Sequence, residues 1–554
     1  MKGSGVLFKT QPSMMKTASL QLQKLGKLYI ERTCSDFPQW GSGMGFSKYE
    51  SGLSGSDERT HLSRNRFLEK LLTETEKISA QTLQGDDWID RRCFLSLLRT
   101  ELLNSRDLQR WRTNPQECCD GAVGAVFELL SRHSDNLKKA RTSIEARLAL
   151  IPRFLKEGAS TIRMPVPLWC KLAVQSCKGA SEFILTLGEK LSEISPDATR
   201  TRRLARKAAD AFEDYAQAVS SKKQGGHGDF AIGRERFEYL LRERTGLDWT
   251  IPEIEAEGRR LILTLGEEMQ QEAKKFGPKT AKEILDSARE SWLPEAPLLE
   301  LYTRSSEAWR ARVVTSGLFP IPLGESLKVT PVPDFMRDHF PTAAYSSAGP
   351  FEKHQRGTFW VNDLGSSKKD PAGALREARQ HFGLELTSAH EGYPGHHLQF
   401  AIQNQHPSHI RRLCSHAIFY EGWTMWCEKL AVEKGWCTGP FSRLQQLHDA
   451  LWRAHRIVID CGLHTGKLTH ESAARMLVKG VGFTLARARA DVNWYTSQPT
   501  VPMSYLLGRL ELERVKDAMM RKEGWSLREF HDWALSHGAV PWRWILDANL
   551  HGGE

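Results

Sequence analysis

The sequence has no apolar run approaching the about 18 residues that a membrane-spanning helix needs, so no membrane partner is expected. It has no Cys-x-x-Cys pair, and its ten cysteines are scattered over 554 residues, two of them adjacent at Cys118 and Cys119. That pattern excludes a secreted disulfide framework and leads to the expectation of a reducing, cytoplasmic setting. A long basic block is also missing. The 77 basic residues are interleaved with 67 acidic ones, so the net charge of +10 reads as a mixed, solvated surface, and no nucleic-acid partner is expected. The first thirty residues hold five lysines but no Arg and no acid. Organelle-targeting peptides favour Arg, so residues 1–58 read as a flexible extension and linker, with targeting as the alternative. Residues 41–58 are rich in Gly and Ser, which supports the linker.

What is present is mostly helical pattern. Phe67, Leu68, Leu71 and Leu72 recur at three-to-four spacing, as do Phe94, Leu95, Leu98 and Leu102. Helical stretches follow at 121–157, 167–192 and 196–222, punctuated by Pro115, Pro152 and Pro165. Glycines 225, 226, 228 and 233 mark a break. The expected lobes are therefore 59–225 and 226–554. Thr250 and Pro252 predict the start of a helix, as N-cap and first-turn proline. The proline-rich tract 311–363 carries β-favouring runs such as Lys328-Val329-Thr330 and Thr358-Phe359-Trp360-Val361. It predicts a small sheet whose last strand precedes the histidine cluster. The fold class is mainly α, with that sheet beside the cluster.

The cluster is His390-Glu391-Gly392-Tyr393-Pro394-Gly395-His396-His397. Two imidazoles and an intervening carboxylate are what a zinc hydrolase uses to hold its ion and to accept a proton from water. The usual His-Glu-x-x-His spacing puts both histidines on one helix face, but here Pro394 stands at the fourth position. On a regular helix His396 is rotated about 240° from His390, and His397 lies roughly 10 Å further along the axis. A bulge at Pro394-Gly395 would return His396 to the ligand position, so His396 is favoured over His397. His397 then becomes a substrate-binding candidate. Glu421, 25 residues after His396 and set among Phe419, Trp423 and Trp426, is the third metal candidate. An acid in such surroundings needs a partner. Glu428 follows on the same helix face.

Residues 390–399 resemble the hallmark of the domain of unknown function 885 family, a mostly bacterial group of presumed zinc metallopeptidases. Glu421-Gly422-Trp423, Arg453–His464, Ser504–Gly508 and Phe530-His531-Asp532 resemble further family blocks. The resemblance implies a large helical zincin-like fold similar to carboxypeptidase Taq and thimet oligopeptidase, with a deep cleft between two helical halves. It also implies that strand residues Gly357–Asn362 hold an extended peptide. One zinc ion would sit on His390, His396 and Glu421, with Glu391 as general base. Tyr505 and His464 are the oxyanion-donor candidates, though each also reads as a core residue. Arg456 is a candidate for a substrate carboxylate, or else an ion-pair partner of Asp460. Where the family has Arg before a tyrosine, this chain has Trp494 before Tyr495. The expected activity is zinc-dependent hydrolysis of amide bonds in short peptides, carboxypeptidase-like in one version. The alternatives are a zinc enzyme acting at a C–N bond of a small non-peptide molecule, and a non-catalytic metal-binding protein.

Overall fold

The computed structural model describes residues 12–133, 136–332, 342–363 and 371–551. The chain is mostly helical, with one small sheet. Residues 1–11 of the expected extension lie outside the described residues. The remainder of that stretch is not a loose linker. Helix Pro12–Asp36 buries Ala18, Leu22, Tyr29 and Ile30, a three-to-four stripe that the intervening lysines obscure in the sequence. Tyr29 donates to Glu101 and packs edge-on against Phe94. The glycines that suggested flexibility serve close packing instead. A Cβ at Gly41 would lie 2.8 Å from Tyr49, and one at Gly52 would lie 2.5 Å from Pro38.

Helices Pro115–Arg132, Leu137–Thr161, Pro167–Glu193 and Ala198–Ser220 share one apolar cluster that includes Val126, Ile144, Ile184 and Phe212. Pro152 does not end a helix. It lies inside Leu137–Thr161, where buried Leu148, Ile151 and Leu155 hold the helix to its neighbours. Helix Ile251–Ala273 starts as expected, with Thr250 and Glu253 forming a reciprocal capping box and Pro252 in the first turn.

The sheet has strands β1 (Glu325–Pro331), β2 (Ala343–Ser346) and β3 (Gln355–Val361) in the order β1-β3-β2. β1 runs parallel to β3 with Leu327 opposite Gly357, and β2 runs antiparallel with Tyr345 opposite Phe359. This corrects the peptide-holding role expected of Gly357–Asn362. β3 is the central strand, and Thr358–Val361 are paired on both sides. Among the described strands β2 is an outer one, and its Tyr345 hydroxyl lies 3.2 Å from His397 Nδ1.

Three helices carry the remaining candidates. Ala417–Glu433 is buried on nearly every side, which explains its lack of an amphipathic pattern. Ser442–His464 and Val501–Glu523 pack beside it. Ala417–Glu433 and Val501–Glu523 cross at two glycines. A Cβ on Gly422 would sit 2.4 Å from the Gly508 carbonyl carbon, and one on Gly508 would sit 2.1 Å from the Ile418 oxygen. That backbone contact brings Glu421 and Tyr505 together. Buried Asp460 accepts from the Thr500 and Met503 amides, each at 3.4 Å, at the start of Val501–Glu523. It therefore caps a neighbouring helix and is not committed to Arg456.

Candidate metal centre

The bulge expected inside one helix is a full interruption. Helix Leu384–Glu391 ends, Gly392 to Gly395 turn the chain through a cis Tyr393–Pro394 bond, and His396–Gln403 starts a new helix. Gly395 passes so close to the preceding helix that a Cβ would lie 1.8 Å from the His390 carbonyl oxygen, so only glycine fits. The Trp423 indole donates to the Pro394 carbonyl at 2.9 Å and ties the turn to Ala417–Glu433. The two imidazoles end 4.9 Å apart between ring centres.

His390, His396 and Glu421 converge. One ligand atom from each lies within 4.8 Å of the others, and all three residues are buried. Glu421 Oε2 is 3.5 Å from His390 Nε2 and 3.4 Å from His396 Nε2. His390 Nδ1 is held by Glu428 Oε1 at 2.7 Å, which leaves Nε2 facing the centre. Burial alone would lower the His390 imidazole, but the carboxylates of Glu421, Glu428 and Glu391 raise it to about 10. Glu421 is pushed well below the usual carboxylate range: burial opposes this, and the two histidines outweigh it.

Glu391 is half-buried, and burial raises its carboxyl above the ordinary value, opposed by His390 and His396. The Tyr345 backbone amide on β2 reaches the same carboxylate. Tyr505 is half-buried, with its ring stacked 6.5 Å from that of His390 and its phenol bonded to Glu421. Arg456 is not paired with Asp460. Its Nε donates to the Tyr495 hydroxyl at 2.9 Å, and its guanidinium lies over Tyr505 at 4.6 Å and Trp494 at 5.5 Å. Arg456 Nη1 is buried with no hydrogen-bond partner.

Two candidates are not brought to this centre. His397 Nε2 bonds Glu325 at 2.9 Å and its Nδ1 lies 3.2 Å from the Tyr345 hydroxyl. Tyr393 also donates to Glu325, so His397 belongs to a polar network under the sheet. His464 is fully buried, stacked on Phe237 at 5.8 Å and bonded to the Tyr495 carbonyl at 3.1 Å. Burial pushes its imidazole down to about 3.

The role of Glu428 has one signal in the sequence, its seven-residue offset from Glu421, which puts both on one helix face. Glu325, 72 residues from His397, left no signal.

The donor set fits a zinc ion. Two imidazoles and a carboxylate are the ligands of a catalytic zinc with an open position. Glu421 Oε2, which faces Nε2 of both histidines, is buried without a hydrogen-bond partner, which costs free energy unless something else satisfies the site.

A family model described as bacterial protein of unknown function, DUF885, matches residues 38–548. The chain belongs to the DUF885 family. A solved structure of a presumed lipoprotein of unknown function from Shewanella oneidensis shares 19% identity with this DUF885 chain. Its TM-score is 0.76, over 96% of this chain and 99% of that one. A second, of a presumed lipoprotein from Colwellia psychrerythraea, shares 17% identity at a TM-score of 0.73, over 97% of this chain and 99% of that one. No protein of curated function matches. These likenesses correct the cytoplasmic expectation: the solved proteins that share the fold are described as lipoproteins, and scattered cysteines do not outweigh that. Among the described residues no helix is long and apolar enough to cross a membrane.

Proposed function

We propose that this DUF885 protein is a zinc-dependent hydrolase that cleaves amide bonds of short peptides. The observation that carries the proposal is the convergence of His390, His396 and Glu421 beside Glu391, whose carboxyl is raised by burial. When bound, zinc supplies a Lewis acid that polarises a carbonyl and acidifies a water. His390, His396 and Glu421 would hold it, and Glu428 orients His390. Glu391 takes the proton of the attacking water and delivers it to the leaving amine. The Tyr505 phenol, whose ring stacks on His390 and which bonds Glu421, would donate to the developing oxyanion. Arg456 offers its unpartnered Nη1 to a substrate carboxylate. The outer strand β2, whose Tyr345 amide reaches Glu391, aligns the peptide. The surrounding helices then form the walls of a cleft like that of carboxypeptidase Taq and thimet oligopeptidase, as the family resemblance implies. His464 and His397 have no direct part; His397 supports the sheet.

Glu391→Gln is expected to retain zinc and to lose about 10²–10⁴-fold in amide hydrolysis. Zinc content by mass spectrometry and turnover of a peptide library check both halves. Undiminished activity in metal-free protein sinks the proposal. A second reading, cleavage at a C–N bond of a small non-peptide molecule, is favoured by Trp494. Its indole lies 5.5 Å from Arg456 at the position where the family resemblance implies a second guanidinium, which narrows the anionic anchor. Broad turnover of the peptide library eliminates this second reading.

A further inference from the structure

A second group of metal-binding side chains lies apart from the first. Cys93, from helix Gly85–Leu102, meets Cys414 and His416 just before helix Ala417–Glu433. All three are buried, with one ligand atom from each within 4.8 Å of the others. The two thiols touch each other, and the Cys414 thiol points to the Ile410 carbonyl at 3.6 Å.

The tautomer of His416 is set by its surroundings. Nδ1 lies 2.8 Å from the Ala539 carbonyl, which can only accept, so Nδ1 carries the hydrogen. With that hydrogen on Nδ1, Nε2 of the neutral ring is a bare lone pair. Its one neighbouring hydroxyl, Ser96 at 3.2 Å, already gives its single hydrogen to the Glu243 carbonyl at 2.6 Å. A buried nitrogen lone pair thus faces two sulfurs with no committed donor. The group opens onto a cavity of about 250 Å³ that also reaches Arg244, Tyr420 and Ser504.

We propose that Cys93, Cys414 and His416 form a second zinc site, with its fourth position open to this cavity for water or a small ligand. Tetrahedral zinc with bonds of about 2.3 Å to sulfur and 2.0–2.1 Å to nitrogen places ligand atoms about 3.5–3.8 Å apart. The side chains therefore have to close by at most about 1.3 Å. Binding releases one proton from each thiol, and two thiolates with a neutral imidazole cancel the charge of a divalent ion. That balance selects zinc over cuprous copper, which would leave a buried negative charge. Arg411, the cation beside Cys414, is already neutralised by Asp90 at 2.9 Å and Asp86 at 3.0 Å. The ion would pin the start of the helix that carries Glu421 to Gly85–Leu102.

The test is cobalt substitution of the reduced full-length chain. The first site has no sulfur ligand, so a thiolate-to-cobalt charge-transfer band reports the second alone. The wild-type chain is expected to bind two ions and to show the band. The double variant C93S/C414S should lose the band and one ion, whereas H390A/H396A should lose one ion and keep the band. A wild-type chain that binds Co²⁺ without the band overturns the site, whether or not the variants fold. A band that survives C93S/C414S overturns it as well. Loss of an ion in H390A/H396A but not in C93S/C414S also overturns it, whereas an H390A/H396A chain that keeps both ions and the band counts against the first site and leaves the second standing.

Discussion

Glu428 sets the ring of His390. Its carboxylate accepts from Nδ1 at 2.7 Å and so directs Nε2 to Glu421 and His396. Removing such a support leaves the ligand in place but free to rotate. Glu428→Ala is therefore expected to weaken zinc binding about 10–100-fold, measured by competition with a chelator, while Glu428→Gln, which keeps an acceptor, recovers most of it. At this scale His390, His396 and Glu421 were legible because their spacing is local and their residue types rare. Arg456 was legible as a residue but not as a contact: helix spacing put it beside Asp460, whereas the structure gives Asp460 to the amides of Thr500 and Met503. His464, a sequence candidate for the oxyanion, packs on Phe237 because it ends its helix facing the apolar side.

The Gly422–Gly508 crossing is the element on which the centre depends. A methyl group at Gly508 meets the Ile418 carbonyl oxygen at 2.1 Å, and backbone cannot rotate aside. Gly508→Ala is expected to lower stability by about 1–3 kcal/mol and to reduce activity with it, because Tyr505 shifts away from Glu421. Gly179, inside helix Pro167–Glu193, has no atom within 4 Å of a built Cβ. Gly179→Ala should instead raise stability by about 0.5–1 kcal/mol. Thermal unfolding of both variants checks the contrast. Most helices and the sheet were legible from periodicity and β-favouring runs. The interruption at Gly392–Gly395 was expected only as a bulge, because the close pass of Gly395 over His390 is a contact between helices.

Across the whole molecule, buried neutral histidines make the fold sensitive to acid. Burial pushes His61, His381 and His531 from 6.5 down to about 4. For His531 the reason is visible: Nδ1 donates to the Leu318 carbonyl, and Nε2 accepts from the Trp426 indole at 3.1 Å, a bond that protonation would break. The unfolded chain takes up these protons from about pH 6.5, the folded chain only near pH 4. Their contribution is thus fully present above pH 6.5 and is lost as pH falls towards 4. The thermal midpoint should drop steadily between pH 6.5 and 4. A flat midpoint there would mean these imidazoles titrate normally.

The sequence by itself determined the helical class, the small sheet before the histidines, the family and the candidate metal-ligating residue types, because periodicity and motif spacing are properties of neighbouring residues. The tertiary structure alone decided that His397 bonds Glu325 instead of a substrate, that Glu428 holds His390, and that Arg456 reaches Tyr505. It also brought Cys93 to His416 across more than 300 positions. Each of those outcomes rests on the rotation of one helix against another, which contacts between distant residues set and local pattern does not encode.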